Sequence, residues 1–240
     1  MELINKKDNQ IRFTAEVEES LANAIRRYMN QILVLAVDEV EISKNDSPLY
    51  DETIAHRIGL IPIKTDKSVN DKTNIKLKLD VKKDGMVYSN ELKGDAKIVY
   101  EGIPITTLNK KQELNIVATV KGGRGVDHAK FSPGLMFYRN VADVKVEKDC
   151  PKDVADICPK KVFDFKDGKV AVRDSSECDM CEACIEVCRK HKKDFVNLVP
   201  TKELVIILES FGQLGVDEIF KKSVEILKKD LVEVSKEISK

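Results

Sequence analysis

Six cysteines in 240 residues, all between Cys150 and Cys188, are the side chains best suited to chemistry in this sequence. Four of them form the run Cys178-x2-Cys181-x2-Cys184-x3-Cys188. Thiolates at that spacing hold iron–sulfur clusters: three sulfurs of such a run bind one cluster and the fourth reaches another. Zinc is the other metal that CxxC steps suggest. Overlapping the steps as CxxCxxC suits the corners of a cubane better than one small tetrahedron. His56 falls in a helical pattern and His128 in a glycine-rich segment, where structural or interface roles fit better than catalysis. His191 belongs to Arg189-Lys190-His191-Lys192-Lys193, which reads as solvated surface before it reads as a nucleic-acid contact.

Upstream, Cys158-Pro159 resembles the tail of a second run of the bacterial ferredoxin type. Residues 162–165 and 169–172, around Lys166-Asp167-Gly168, resemble the short hairpin between two such runs. The first run is degraded: Lys148, Pro151 and Val154 stand where its cysteines belong, and Cys150 is one residue out of register. The ferredoxin pattern therefore implies one complete site, Cys158, Cys178, Cys181 and Cys184, around a single [4Fe–4S] or [3Fe–4S] cluster. Cys150 and Cys188 are left over as free thiols, a disulfide or the remnant of a second site.

The elements that must position these thiols lie on both sides of them. Residues 16–63 open with a helix whose Val17, Leu21, Ala24, Ile25, Tyr28 and Ile32 share one side of a 3.6-residue wheel. Asn23, Arg26 and Asn30 lie opposite, with Arg27 beside them, short of the Lys/Glu pairs that usually solvate a helix. That face is either a plain wet back or a surface for another chain. Glu18 and Glu19 suit the start of the helix, and Ser20 is a candidate cap. A strand over 33–43, a turn at Asn45-Asp46-Ser47-Pro48 and a second helix ending near Gly59 follow. Residues 3–13 read as two short strands around Lys7-Asp8-Asn9.

Beyond Pro62 the pattern is β. Ile75, Leu77, Leu79 and Val81 alternate, Asp84-Gly85 predicts a hairpin returning at 86–88, and 98–100 and 114–120 read as further strands. The glycine-rich stretch 121–133 lacks the Gly-Lys-Ser/Thr ending of a phosphate loop. Strands are expected again over 141–146, 195–199 and 204–208. Gly212 and Gly215 precede a closing helix with apolar residues at Phe220, Val224, Leu227, Leu231, Val234 and Ile238. Spacings of 4, 3, 4, 3, 4 make a heptad seam, which packs on its own sheet or against a partner helix.

The 41 basic and 41 acidic residues cancel, against the basic excess of phosphate-driven nucleic-acid binding, so no direct nucleic-acid contact is expected. Hydrophobic residues at 42% suit a folded protein. No apolar run approaches the roughly 20 residues of a membrane span, and the start of the chain lacks the order of a secretion signal. A cytoplasmic, reducing setting is therefore expected, where clustered cysteines suggest metal before disulfides.

Ala22-Asn23-Ala24-Ile25-Arg26-Arg27 and Asp51-Glu52-Thr53-Ile54-Ala55-His56-Arg57-Ile58-Gly59-Leu60-Ile61-Pro62 together resemble the family of the archaeal RNA polymerase D subunit. That family includes the eukaryotic third-largest polymerase subunit and, more distantly, the N-terminal domain of the bacterial alpha subunit. Gly123-x-Gly125-x-x-His128-Ala129-Lys130-Phe131 and Glu209-Ser210-Phe211-Gly212-Gln213-Leu214 add to the resemblance. It implies an α+β fold: a discontinuous alpha-type dimerisation domain (1–47 with 200–240), a mostly β insert domain (48–147 with 194–199), and a ferredoxin-like subdomain (148–193).

The resemblance also implies a non-catalytic assembly subunit that pairs with the small L subunit and docks the N, P and large B subunits. The magnesium-holding Asp-x-Asp-Gly-Asp pattern of polymerases does not occur in the sequence, and no catalytic residue is assigned. Phe220, Val224, Leu227, Leu231 and Val234 would face L, and Asn23, Arg26 and Arg27 a large subunit. Members of the family differ in whether they keep a cluster, so the cluster is read from the cysteines. The rival is a ferredoxin-like electron carrier or oxidoreductase subunit, which accounts for the cysteines but not for the flanking signatures or the terminal seam.

Overall fold

The structure, a computed structural model, describes residues 1–66 and 68–239. The chain begins with β1 (Glu2–Lys7), β2 (Gln10–Glu16), α1 (Glu19–Tyr28), β3 (Leu33–Asn45) and α2 (Asp51–Gly59). Five strands follow: β4 (Asn74–Val81), β5 (Gly85–Tyr88), β6 (Lys93–Gly94), β7 (Pro104–Leu108) and β8 (Leu114–Arg124). After β9 (Gly134–Val146) come α3 (Lys152–Ile157), β10 (Phe163–Lys166), β11 (Lys169–Val172) and α4 (Ala183–Lys190). The chain closes with β12 (Val196–Ser210) and α5 (Val216–Ile238). The class is α+β with sheets predominating.

Two compact units divide the chain. The larger comprises Lys7–Ile11, Asn23–Met136 and Leu208–Lys240, the smaller Met1–Lys6, Arg12–Ala22 and Phe137–Ile207.

In the larger unit a sheet of order β3-β8-β4-β6 is built on β8, which pairs antiparallel with β3 and β4. Leu114, Ile116, Ala118 and Val120 of β8 are all buried, the period-2 pattern expected of a strand with one face on a core. Leu77 and Leu79 of β4 join them, and α2 lays Ile54 and Ile58, both fully buried, into the same core.

Several expectations are corrected. Asp84-Gly85 does not fold β4 back on its successor. Both edges of β4 are taken, by β8 and β6, so β5 leaves to pair with β7 in a separate two-stranded sheet. Residues 98–100 form no strand, only a single bridge between Ile98 and Ile63. β8 runs on through Gly122 and Gly123, where a side chain would meet the Asn70 carbonyl and the Phe131 ring at 2.8 and 2.6 Å. The glycines of the 121–133 stretch therefore permit close packing.

Leu21 is exposed, whereas Ala22, Ile25, Met29 and Ile32 are buried. The buried positions 22, 25, 29 and 32 keep helical steps of 3, 4 and 3, so the inward face of α1 is centred on Ala22, Ile25 and Met29, to one side of the expected Leu21 stripe. Ser20 is the second residue of the helix rather than its cap.

The smaller unit contains the antiparallel hairpin β10–β11, with Asp167 and Gly168 at positive φ (51° and 74°) as its expected two-residue turn requires. Its core gathers Ala142, Val144, Val154, Val162 and Phe163 with buried cysteines. A four-stranded sheet has the order β1-β2-β12-β9. The two strands expected after the cysteines are one continuous strand, β12.

Ile58 and Leu60 offer a test of the α2 register, since Ile58 is fully buried and Leu60 is 54% exposed. Ile58→Ala is expected to cost about 3 kcal/mol in denaturant unfolding and Leu60→Ala less than about 0.5 kcal/mol.

Candidate metal centre and partner faces

Cys158, Cys178, Cys181 and Cys184 line one cavity, together with Phe163 and Leu198. Different elements deliver them. Cys158 caps the C-terminus of α3, and its Sγ accepts the Val162 backbone N–H at 3.4 Å. Cys178 ends the 3-10 turn Ser175–Glu177. Cys181 lies between two residues in left-handed conformation, Met180 (φ 53°) and Glu182 (φ 60°), and points to solvent. Cys184 sits in the first turn of α4, where the helix dipole favours a thiolate.

Burial, above all, pushes the Cys184 thiol up to about 11, with the nearby Cys178 adding to the effect and backbone N–H groups opposing it. Cys178 is raised for the same first reason, then by Asp179, Cys158 and Cys181, against a hydrogen bond from the Met180 backbone. Thiols that stay protonated this way bind metal only by releasing protons.

Soft sulfur donors on one cavity, with backbone N–H groups directed at three of them, suit an iron–sulfur cluster. Among the described residues no three His, Cys, Asp or Glu side chains converge tightly enough for a single ion. The cavity is narrow, about 10 Å³.

Cys150 and Cys188 are buried free thiols in the same core, close enough that Cys188 disfavours charge on Cys150. Burial first, then Cys188 and Asp149, pushes Cys150 up to about 11. The basic run beside them is partly neutralised: Lys193 pairs with Asp149, and His191 Nε2 lies 3.7 Å from an Asp153 oxygen.

On α1, Arg26 donates from Nε and Nη2 to Asn23 Oδ1 at 3.2 and 2.9 Å, and Arg27 is exposed. Asn30 does not share that face, because its Oδ1 accepts the Ser132 hydroxyl at 3.0 Å. Tyr28 ties α1 to α5 through a hydrogen bond to Asp230, which raises the phenol above its ordinary value.

The α5 seam divides in two. Val216, Ile219, Ser223 and Leu227 are buried on the unit's own core, and of the expected seam only Leu227 is among them. Phe220 is half-buried, whereas Val224, Leu231, Val234 and Ile238 are exposed, Leu231 by 60%. Val224, Leu227, Leu231 and Val232 line a shallow groove of about 340 Å³.

Two sets of residues escaped the sequence. His56 and His128 line a common cavity of about 180 Å³ with Asp38 and Lys130. Asp38 is held below the usual carboxylate range by Lys130 and then Lys121. Arg12 and Arg139 both reach the segment ahead of Cys178. His56, His128 and Lys130 fall in the two signatures quoted above, which do not join them as one set, and no short motif marks Arg12 or Arg139.

A profile of the RNA polymerase Rpb3/RpoA insert domain matches residues 40–136. The chain is 34% identical over 243 residues to "DNA-directed RNA polymerase subunit Rpo3" of Pyrococcus horikoshii, covering 95% of this chain and 93% of that protein. The chain belongs to the Rpo3 family. The protein of the same name from Archaeoglobus fulgidus is 32% identical over 98% of this chain and 96% of its own length. The Rpo3 of Thermococcus kodakarensis is 39% identical over 161 residues, and there the chain spans only 62% of the relative's length. The Rpo3-family signatures around Arg26 and His56 thus lie in the larger unit, and the cysteines in the smaller. Among the described residues no helix is long and apolar enough to cross a membrane.

In chain purified without metal under reducing conditions, iodoacetamide is expected to label exposed Cys181 first. Cys184 should label slowly at neutral pH, its thiolate fraction reduced about a hundredfold by a rise from 9.0 to about 11. Labelling should accelerate as pH approaches 11, read residue by residue by mass spectrometry.

Proposed function

We propose that this chain is a non-catalytic assembly subunit of an archaeal-type DNA-directed RNA polymerase. The observation that carries the reading is a terminal helix with one apolar face buried and a second left exposed in a chain of the Rpo3 family. An apolar stripe this long on a charged helix fits a partner helix laid along it. In this reading L covers Val224, Leu231 and Val234, with Phe220 and Leu227 anchoring the near end of the seam. Arg27, with the Asn23–Arg26 pair that fixes the helix face beside it, meets a large subunit, and N, P and B complete the assembly. The chain would then be laid out as dimerisation domain 1–47 with 200–240, insert domain 48–147 with 194–199, and cluster subdomain 148–193. Chemistry belongs to other subunits, and the setting is cytoplasmic.

Cys158, Cys178, Cys181 and Cys184 hold one iron–sulfur cluster, [4Fe–4S] or [3Fe–4S], whose iron–thiolate bonds cross-link α3, the 178–184 loop and α4. The support is the convergence of the four thiols on one cavity. The role of these residues is structural: the subdomain has few large apolar side chains, and metal–ligand bonds substitute for core at this size. Cys150 and Cys188 stand apart from the set as a buried thiol pair.

Co-purification tests the assembly reading. Full-length chain is expected to draw down polymerase subunits. Leu231→Asp with Val234→Asp should weaken pairing with L at least about tenfold while leaving the thermal melt unchanged, since both side chains are exposed. Normal pairing in that variant would reject the seam. Arg27→Glu should impair docking of the large subunit but not of L, and unaltered assembly would remove Arg27 from the interface. Anaerobic purification should give iron and sulfide together, lost in Cys184→Ser; stoichiometric zinc without sulfide would reject the cluster.

A further inference from the structure

Two guanidinium groups converge on the backbone that leads into the cysteine run. Arg12 is on β2 and Arg139 on β9, the strands on either side of β12. They reach one carbonyl from both sides: Arg12 Nη2 donates to Ser176 O at 2.8 Å, and Arg139 Nη2 donates to the same oxygen at 2.6 Å. Arg139 Nη1 continues to Cys178 O at 2.5 Å, and Arg12 Nη1 to Glu177 Oε1 at 2.5 Å. Neighbouring strands lie about 4.8 Å apart, so the pair spans about 10 Å of sheet to grip three consecutive residues.

This is more than a loop needs. Arg12 is largely buried, and its Nε is among the few buried side-chain nitrogens and oxygens with no hydrogen-bond partner. Burial first, then Arg12, lowers the pKa of Arg139, and Glu177 accepts a hydrogen bond from Arg12. Glu177 and Asp179 offset the charge of Arg139, Asp174 lies near Arg12, and Cys178 is close enough to Arg139 for a thiolate there to favour the guanidinium charge. A ligated cluster would add further negative charge beside the pair, since thiolate ligands bring more than the iron–sulfide core neutralises.

We propose that Arg12 and Arg139 are the positioning residues of the cysteine centre: they fix the 176–178 backbone so that Cys178 faces the other three thiols, and their charges offset that of the ligated cluster. The inference rests on the iron–sulfur reading of Cys158, Cys178, Cys181 and Cys184. A purely structural clamp would need the hydrogen bonds alone. A clamp that also balances charge makes the electron affinity of the centre depend on the two cations, because a nearby positive charge favours the reduced form.

The test uses anaerobically purified full-length chain with Arg12→Gln, Arg139→Gln, Arg12→Lys and Arg139→Lys, read three ways. Iron release to bathophenanthroline, reduction potential by spectroscopic titration and the thermal melt are compared with wild type. Each Gln variant is expected to release iron about tenfold faster and to show a more negative potential. The Lys variants should release iron faster than wild type yet keep a potential near it, since they retain charge but not the paired carbonyl grip. Should a Gln variant fail to fold, the Lys variants carry the test: unchanged release, or a potential well below wild type, overturns the proposal. Gln variants with wild-type release and potential overturn the role of the pair alone. Wild-type chain free of iron and sulfide overturns the cofactor reading, and this proposal with it.

Discussion

The antiparallel pairing of β8 with both β3 and β4 is the constraint on which the larger unit depends. Every backbone group of a central strand must find a partner on each side, and β8 does so along nearly its whole length. With its hydrogen bonds fixed, its side chains alternate, so Leu114, Ile116, Ala118 and Val120 must share one face. That face receives Ile54 and Ile58 and thereby sets the rotation of α2. His56 and Gly59 are carried to the opposite side, where they line a cavity with His128. The glycines at the end of β8 extend the same logic, letting Asn70 and the Phe131 ring approach the strand where a side chain would hold them off.

The smaller unit solves a different problem. Its core contains four buried cysteines beside a modest set of aliphatic and aromatic side chains. A buried thiol is a small apolar group and contributes accordingly, but its ionised form is penalised by the same burial. Protonated, these thiols pack as core; as the proposed cluster ligands they would be thiolates whose desolvation the metal offsets. α3 and α4 are only 6 and 8 residues long, too short to persist without cross-links or tertiary packing.

What the sequence made legible was mostly local. The two helices around Arg26 and His56, the alternation of β4 and β8, and the β10–β11 turn followed from periodicity and turn chemistry. The misreadings share one physical cause, which is tertiary demand. Asp84-Gly85 is a sound turn, yet which strand β5 joins depends on the edges of β4 already being occupied. On α1 the apolar wheel was wide enough to admit two faces, and the core took Ala22, Ile25 and Met29 and left Leu21 exposed. In the candidate centre, cysteine spacing pointed to the four thiols that line the cavity. Arg12 and Arg139 stayed invisible, since long side chains from strands more than 120 residues apart carry no joint signal in one sequence.

The outer half of α5 bears on the life of the chain before assembly. Leu231, Val234 and Ile238 present water with a continuous ridge that a soluble protein ordinarily hides. Newly made copies lacking a companion would cling to one another or to bystanders, and the naked helix end is open to proteases. Were the ridge sheathed by the proposed partner helix, synthesis of the two chains would have to keep step, so that orphans stay few and short-lived.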